Sequence, residues 1–401
     1  MSKEKLIPEI RFPEYKNEGE WTEKKISELG ETINGLTGKN GKDFGTGKSY
    51  VTYKQVFDNS VIDFQKCGKV EINDNENQNA LQKGDILFTT SSETPNEVGF
   101  ASVLVDSPKE DIYLNSFCFA LRPFELEKTQ PEFTRYLFHS PVYRKSVSAI
   151  AQGSTRYNLS KVAFLNLKVP IPKPKEQQKI ASCLTSLDEV IAAHSQKLDL
   201  LKTHKKGLMQ NLFPQEGEKV PKCRFKEFVN DGDWQENELN DFCLNISSGK
   251  DINAADGGFE LYGSTGIIGK TKSASYQGDY ILIARVGANA GLLNRAIGNF
   301  GVTDNTLVLN LKKIDSTDFI QYNLEKVGLN KLVFGSGQPL ITGGQLKSLL
   351  LLTPKSDTEQ QKIASCLSSL DALITAQAEK IEQLKLHKKG LMQGLFPKIN
   401  N

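Results

Sequence analysis

One segment constrains this chain more than any other, because it occurs twice. Residues 176–214 read EQQKIASCLTSLDEVIAAHSQKLDLLKTHKKGLMQNLFP, and residues 359–397 read EQQKIASCLSSLDALITAQAEKIEQLKLHKKGLMQGLFP. The two copies are identical at 27 of 39 positions without a gap. A repeat of this fidelity fixes the architecture before any local reading begins. A fainter echo precedes each copy. Ile7-Pro8, Arg11-Phe12, Gly19 and Trp21 return as Val220-Pro221, Arg224-Phe225, Gly232 and Trp234. The frame therefore repeats, while the segments inside it differ in length and sequence. Two short echoes survive within them. Gly84-Asp85-Ile86-Leu87 matches Gly278-Asp279-Tyr280-Ile281-Leu282, and Gly153–Ser160 (GSTRYNLS) matches residues 335–342 (GSGQPLIT).

Within each copy the apolar positions step by four and three residues. The first seam is Ile180, Leu184, Leu187, Ile191, His194, Leu198, Leu201, Lys205, Leu208 and Leu212. The second is Ile363, Leu367, Leu370, Ile374, Gln377, Ile381, Leu384, Lys388, Leu391 and Leu395. That spacing predicts two helices joined as a coiled coil. Prolines 172, 174 and 354 mark the entries, and Pro214 and Pro397 the exits. The spacing places His194 and Gln377 in one layer, where polar side chains set register, and Lys205 with Lys388 in another. The basic runs 204–206 and 387–389 fall in the last turns on this reading. There they suit phosphate, a helix C-terminus or a docked partner equally. Parallel and antiparallel pairing both satisfy the heptads. The order domain, helix, domain, helix favours the antiparallel form, a strut with one domain at each end.

Strand-forming runs fill the variable segments: SYVTYKQVF, KGDILFTT, GFASVLV and YLNSFCFAL in the first, YILIARV and GVTDNTLVLNL in the second. One helix is expected around residues 131–150 and another around 316–332. The expected fold class is α+β. Two α/β domains, each on a largely antiparallel sheet, are separated by two long helices packed as an antiparallel coiled coil in a pseudo-two-fold cyclic arrangement. The domain boundaries read from the repeat are 1–172, 173–214 (helix), 215–354 and 355–401 (helix).

Chemistry-bearing motifs are sparse. Gly45-Thr46-Gly47-Lys48-Ser49 imitates a phosphate loop, but Lys42 stands where its first glycine belongs. The six cysteines form no C-x-x-C pair, which argues against a zinc site or disulfide framework. A net charge of +2 neither requires nor excludes nucleic acid, since binding needs only a local basic face. No signal-like or membrane-spanning run is present, so a cytoplasmic protein is expected. A binding role fits this inventory better than catalysis. A scaffold joining two protein-binding domains, or an enzyme with an unrecognised site, are the alternatives.

Taken together, the P-x-P-x-E-Q-Q-K-I-A run at 172–181, its counterpart E-Q-Q-K-I-A after Pro354, G-L-M-Q-x-L-F at 207–213 and 390–396, and G-D-[IY] in each variable part resemble the DNA sequence-specificity subunits of type I restriction–modification systems. The resemblance implies two target-recognition domains, each reading one half of a split site in double-stranded DNA. It implies partners too: two methyltransferase (modification) subunits carrying S-adenosylmethionine, and restriction/translocase subunits using ATP and Mg. No cofactor is implied in this chain, and no catalysis. The candidate DNA-contacting residues are polar positions beside the strands. They are Thr89, Thr90, Ser91, Ser92, Ser154, Arg156, Tyr157 and Asn158 in the first domain, and Arg285, Asn289, Ser336 and Gln338 in the second. The helical positions Ile180, Leu184, Leu187, Ile191, Leu198, Leu201, Ile363, Leu367, Leu370, Ile374, Ile381 and Leu384 are the candidate coiled-coil contacts.

Overall fold

The computed structural model describes residues 5–334 and 339–398. The chain divides into two compact units, Met1–Ala193 with Lys380–Asn401, and His194–Glu379. Each unit thus holds one mixed domain together with part of each long helix. The long helices run Pro174–Leu212 and Asp357–Gly394, 39 and 38 residues. At 1.5 Å per residue each extends roughly 58 Å. Pro174 is the first helical residue, where its missing N–H costs nothing.

In the first unit, four antiparallel strands lie in the order Gly30–Asn34, Cys118–Pro123, Ile86–Thr89, Ala101–Val103. A second sheet pairs Phe44–Val51 with Gly68–Val70 and, in parallel, with Ile112–Leu114. The expected single sheet is thus broken into smaller ones. Part of the reason is local. The run SYVTYKQVF leaves strand geometry at Thr52, whose hydroxyl accepts from Gln55 N and caps a helix, Tyr53–Asp58. Similarly, the helix expected over 131–150 is two helices, Pro131–Leu137 and Pro141–Ala149, because Ser140 caps the second and Pro141 opens it. Phe88 packs against Phe119, Phe138, Tyr143 and Phe164 at ring distances of 4.7–6.3 Å.

The second unit is simpler. Six strands lie in the order Cys243–Ser248, Thr306–Leu311, Tyr276–Ala284, Leu293–Val302, Phe259–Gly263, Gly266–Thr271. The Phe259–Gly263 and Leu293–Val302 pair is parallel and the others antiparallel. The helix expected near 316–332 is Thr317–Val327 followed by a 3-10 turn, Leu329–Leu332. Gly328 separates them at φ 74°, a conformation that favours glycine.

Both units are built by the same contacts. In the first, Arg11 Nε and Nη2 donate to the two carboxylate oxygens of Glu176 at 2.8 Å, and Nη1 to Gly19 O. In the second, Arg224 donates likewise to Glu359 at 2.7 and 2.8 Å, and to Gly232 O. Trp21 packs edge-on against the stacked pair Phe133 and Phe396, and Trp234 packs against the stacked pair Phe319 and Phe213. Ile180, Ala181 and Leu184 share their core with Leu395 and Phe396, and Ile363, Ala364 and Leu367 share theirs with Leu212 and Phe213. The start of one long helix therefore lies beside the end of the other in each unit, the antiparallel sense expected from the cyclic order.

The polar layers refine the heptad reading. Gln377 Nε2 contacts His194 Nδ1 at 2.7 Å and donates to His194 O at 2.8 Å, as equal repeat positions must where antiparallel copies cross. Lys205 and Lys388, expected in one layer, fall in different units. Antiparallel order sets Lys205 against Asp371 (2.8 Å) and Tyr322, and Lys388 against Asp188 and Tyr136. Nor are the two lysines terminal: neither helix has a basic residue in its last turn.

Candidate nucleic-acid interface

The two echoes inside the variable segments become neighbours in space. In the first unit, Asp85 is fully buried and accepts from Arg122 Nε (2.9 Å) and Nη2 (2.7 Å), which anchors the strand Ile86–Thr89. That strand leads to Ser91–Ser92, which pairs antiparallel with Tyr157–Leu159 (Tyr157↔Ser92, Asn158↔Ser91). Tyr157–Leu159 also forms a hairpin with Ala151–Gln152. Its tip contains Gly153 at φ 137°, where an added Cβ would stand 2.1 Å from Arg156 O. Segments 89–92 and 154–158, more than sixty residues apart in sequence, thus form one small sheet and its edge.

Within that sheet the candidates divide sharply. Thr89, Ser91 and Ser92 are buried. Thr89 Oγ1 accepts from Phe100 N, and Ser92 Oγ donates to Glu97 at 2.8 Å. Thr90 Oγ1 donates to Phe117 O at 2.6 Å. These hydroxyls brace the sheet from within. Ser154, Arg156 and Asn158 are exposed and Tyr157 half-buried. Arg156 lies over the exposed Phe117 ring, 6.0 Å from its centroid.

The structure adds a wall that strand-based reading missed. Tyr53 and Phe57, on the capped helix Tyr53–Asp58, stack at 5.9 Å. They line a cavity of about 720 Å³ with Ser92, Glu93, Glu97, Thr155 and Arg156. Tyr53 donates to Ser91 O at 2.6 Å, and burial raises its pKa. The T-x-x-Q run Thr52–Gln55, a capping signature, was the signal for this helix.

In the second unit Asp279 again anchors its strand, accepting from Arg295 Nε at 2.7 Å and from Nη2; Arg295 also donates to Asp318. The strand Tyr276–Ala284 runs into Arg285. Arg285 N donates to Asn305 O (2.9 Å), and Ile341 N donates to Arg285 O (2.8 Å). Val286 bridges Leu340 antiparallel, so the pre-helix segment again lies against the segment that follows the Gly-Asp strand. Asn289 is exposed on a turn beside Leu324, Gly328 and Asn330. Ser336 and Gln338 lie outside the described residues.

A separate cavity in the first unit, about 660 Å³, gathers Arg135, His139, Arg144 and Lys388 around Phe57, Phe100 and Tyr136. Three of its cations are committed. Arg135 and Lys388 bond Asp188, and Arg144 donates to the carbonyls of Asn96, Val98 and Gly99. His139 Nε2 lies 2.6 Å from Ala101 O. Burial, reinforced by Arg144, Lys388 and Arg135, pushes its pKa down to about 4. Among the described residues no cluster of His, Cys, Asp or Glu could hold a metal, and no helix is long and apolar enough to cross a membrane.

A duplicated chain of two α/β domains, each closed by antiparallel helices, defines a class of protein built from two unlike domains on one repeated frame. The family of type I restriction modification DNA specificity domains matches residues 18–203 and 231–386, most of both halves, and the chain belongs to it. A Methanocaldococcus jannaschii protein named for the specificity subunit of the type I restriction enzyme MjaX is 25% identical over 403 residues, covering 94% of this chain and 93% of its own length. The MjaVIII specificity subunit of the same organism is 28% identical over 298 residues, covering 65% of this chain and 69% of its own. The fold is similar to that of a type I restriction-modification S subunit from M. genitalium. There the TM-score is 0.64 at 16% identity, over 98% of this chain and 100% of that one.

Proposed function

We propose that this chain reads an asymmetric, two-part sequence in double-stranded DNA, one half-site per mixed domain, and delivers it to catalytic partners. Residues 1–172 and 215–354 are the two readers on this view, and 173–214 and 355–401 the helical spacer. Two modification subunits bring S-adenosylmethionine, and restriction/translocase subunits bring ATP and Mg. The chain itself catalyses nothing and works in the cytoplasm.

One observation carries this reading: the same paired-loop position recurs in both units with unlike side chains. Ser91, Ser92, Arg156, Tyr157 and Asn158 hold it in one, and Arg285, Val286 and Leu340 in the other. Unlike readers on equal frames require unlike half-sites. A single domain spanning a few base pairs discriminates too weakly against the roughly million or more competing sites of a genome, whereas two joined readers multiply their selectivity. The seam from Ile180, Leu184, Leu187, Ile191, Leu198 and Leu201 to Ile363, Leu367, Leu370, Ile374, Ile381 and Leu384 holds the pair in register and sets the number of unread base pairs. Co-expression with the modification subunits, followed by adenine-methylation mapping, tests the proposal. A two-part motif with different halves is expected; a continuous or palindromic motif sinks it.

A further inference from the structure

The chain has eight arginines, and six are consumed internally. Arg11 and Arg224 hold Glu176 and Glu359. Arg122 and Arg295 hold the Gly-Asp carboxylates Asp85 and Asp279. Arg135 bonds Asp188, and Arg144 caps three carbonyls. Arg156 and Arg285 remain. Neither guanidinium donates to any acceptor among the described residues. One falls in each unit, and each stands in or beside the paired loops that end the Gly-Asp strand. A buried guanidinium must be paired within the protein, whereas one held ready for an outside acceptor need not be.

We infer that Arg156 and Arg285 are the specificity-determining residues that each read a guanine, one in each half-site. This rests on the functional reading above. The planar fork of arginine matches guanine O6 and N7 in the major groove, and holds that geometry more rigidly than the flexible ammonium of lysine. The surroundings favour a base edge over the phosphate backbone at Arg156. Glu93 and Glu97 line the same cavity, and their charges repel phosphate. A carboxylate also accepts from cytosine N4, so a cavity lined by Arg156, Glu93 and Glu97 carries the donor and acceptor types that a G·C pair requires. The backbone on either side is fixed. Gly153 tightens the hairpin that carries Arg156, and Arg285 is bonded through both its N–H and its carbonyl.

The test uses the full chain assembled with its modification subunits. Binding is measured on the mapped site, and on duplexes changed one base pair at a time, at two salt concentrations. Arg156→Ala and Arg156→Lys should each weaken the cognate duplex about ten- to a hundredfold and abolish discrimination at a single G·C pair of one half-site. Arg285→Ala and Arg285→Lys should do the same in the other half. Unchanged melting temperatures, expected because neither side chain has an internal acceptor, exclude a folding effect. A uniform loss on every duplex, with a salt slope shallower by about one and rescue by lysine, would mark a phosphate contact and overturn the inference. So would unchanged recognition. If the unaltered complex shows no two-part preference, the functional reading itself fails, and this inference falls with it.

Discussion

Arg11 and Glu176 are nearly sealed from solvent, with side chains 6% and 2% exposed, and Trp21 Nε1 donates to the same carboxylate at 3.2 Å. Removing one member of such a pair strands the other charge. Glu176→Ala should therefore cost roughly 3–5 kcal/mol in urea unfolding. Glu359→Ala should cost a similar amount through Arg224. The two tryptophans, one per unit, let fluorescence assign each loss. The repeated Arg, Gly and Trp positions were legible in the sequence, but their purpose was not, because the carboxylate each arginine holds lies 165 residues away in one unit and 135 in the other. His139 gives a pH prediction. Its folded pKa is depressed from 6.5 to about 4, so its contribution is present above pH 6.5 and is lost as pH falls toward 4. Stability of the first unit should drop by at most about 3 kcal/mol across that window. His139→Gln should flatten the dependence in acid-unfolding curves.

At the scale of elements, the heptad period located both long helices because a 3.5-residue spacing sustained over about nine turns has no competing explanation. The short helix at Tyr53 escaped because β-branched and aromatic residues flank it, and its cap, not its propensity, decides it. Pairing partners were legible only in part. His194 and Gln377 share a layer in either orientation at the crossing point, whereas Lys205 finds Asp371 only when direction is known. Each Asp–Lys rung also engages a tyrosine: Asp371 accepts from Tyr322 at 2.7 Å and Asp188 from Tyr136 at 2.8 Å. Asp371→Ala should lower stability by roughly 1–2 kcal/mol, the modest value reflecting partial exposure. Asp188→Ala should act alike, and a double mutant cycle with Lys388 checks the coupling.

For the whole molecule, the proposed spacing role makes a metric prediction. One heptad inserted at matching positions of both long helices adds roughly 10 Å while preserving the seam. At about 3.4 Å per base pair, methylation mapping should find about three more unread pairs and unaltered half-sites. Altered half-sites would contradict the division between readers and spacer. The duplicated frame was visible in sequence from the first comparison, while the candidate interface was visible only as separate loops. Their pairing depends on strand register, which no local pattern encodes. The contacts of Trp21 and Trp234 have a further consequence during synthesis. Trp234 meets Phe213 and Phe319, 21 and 85 residues away along the chain, but Trp21 waits for Phe396, 375 residues away. On the ribosome the second unit can therefore close its aromatic cluster first, while that of the first unit, though begun earlier, stays open until Phe396 has been translated.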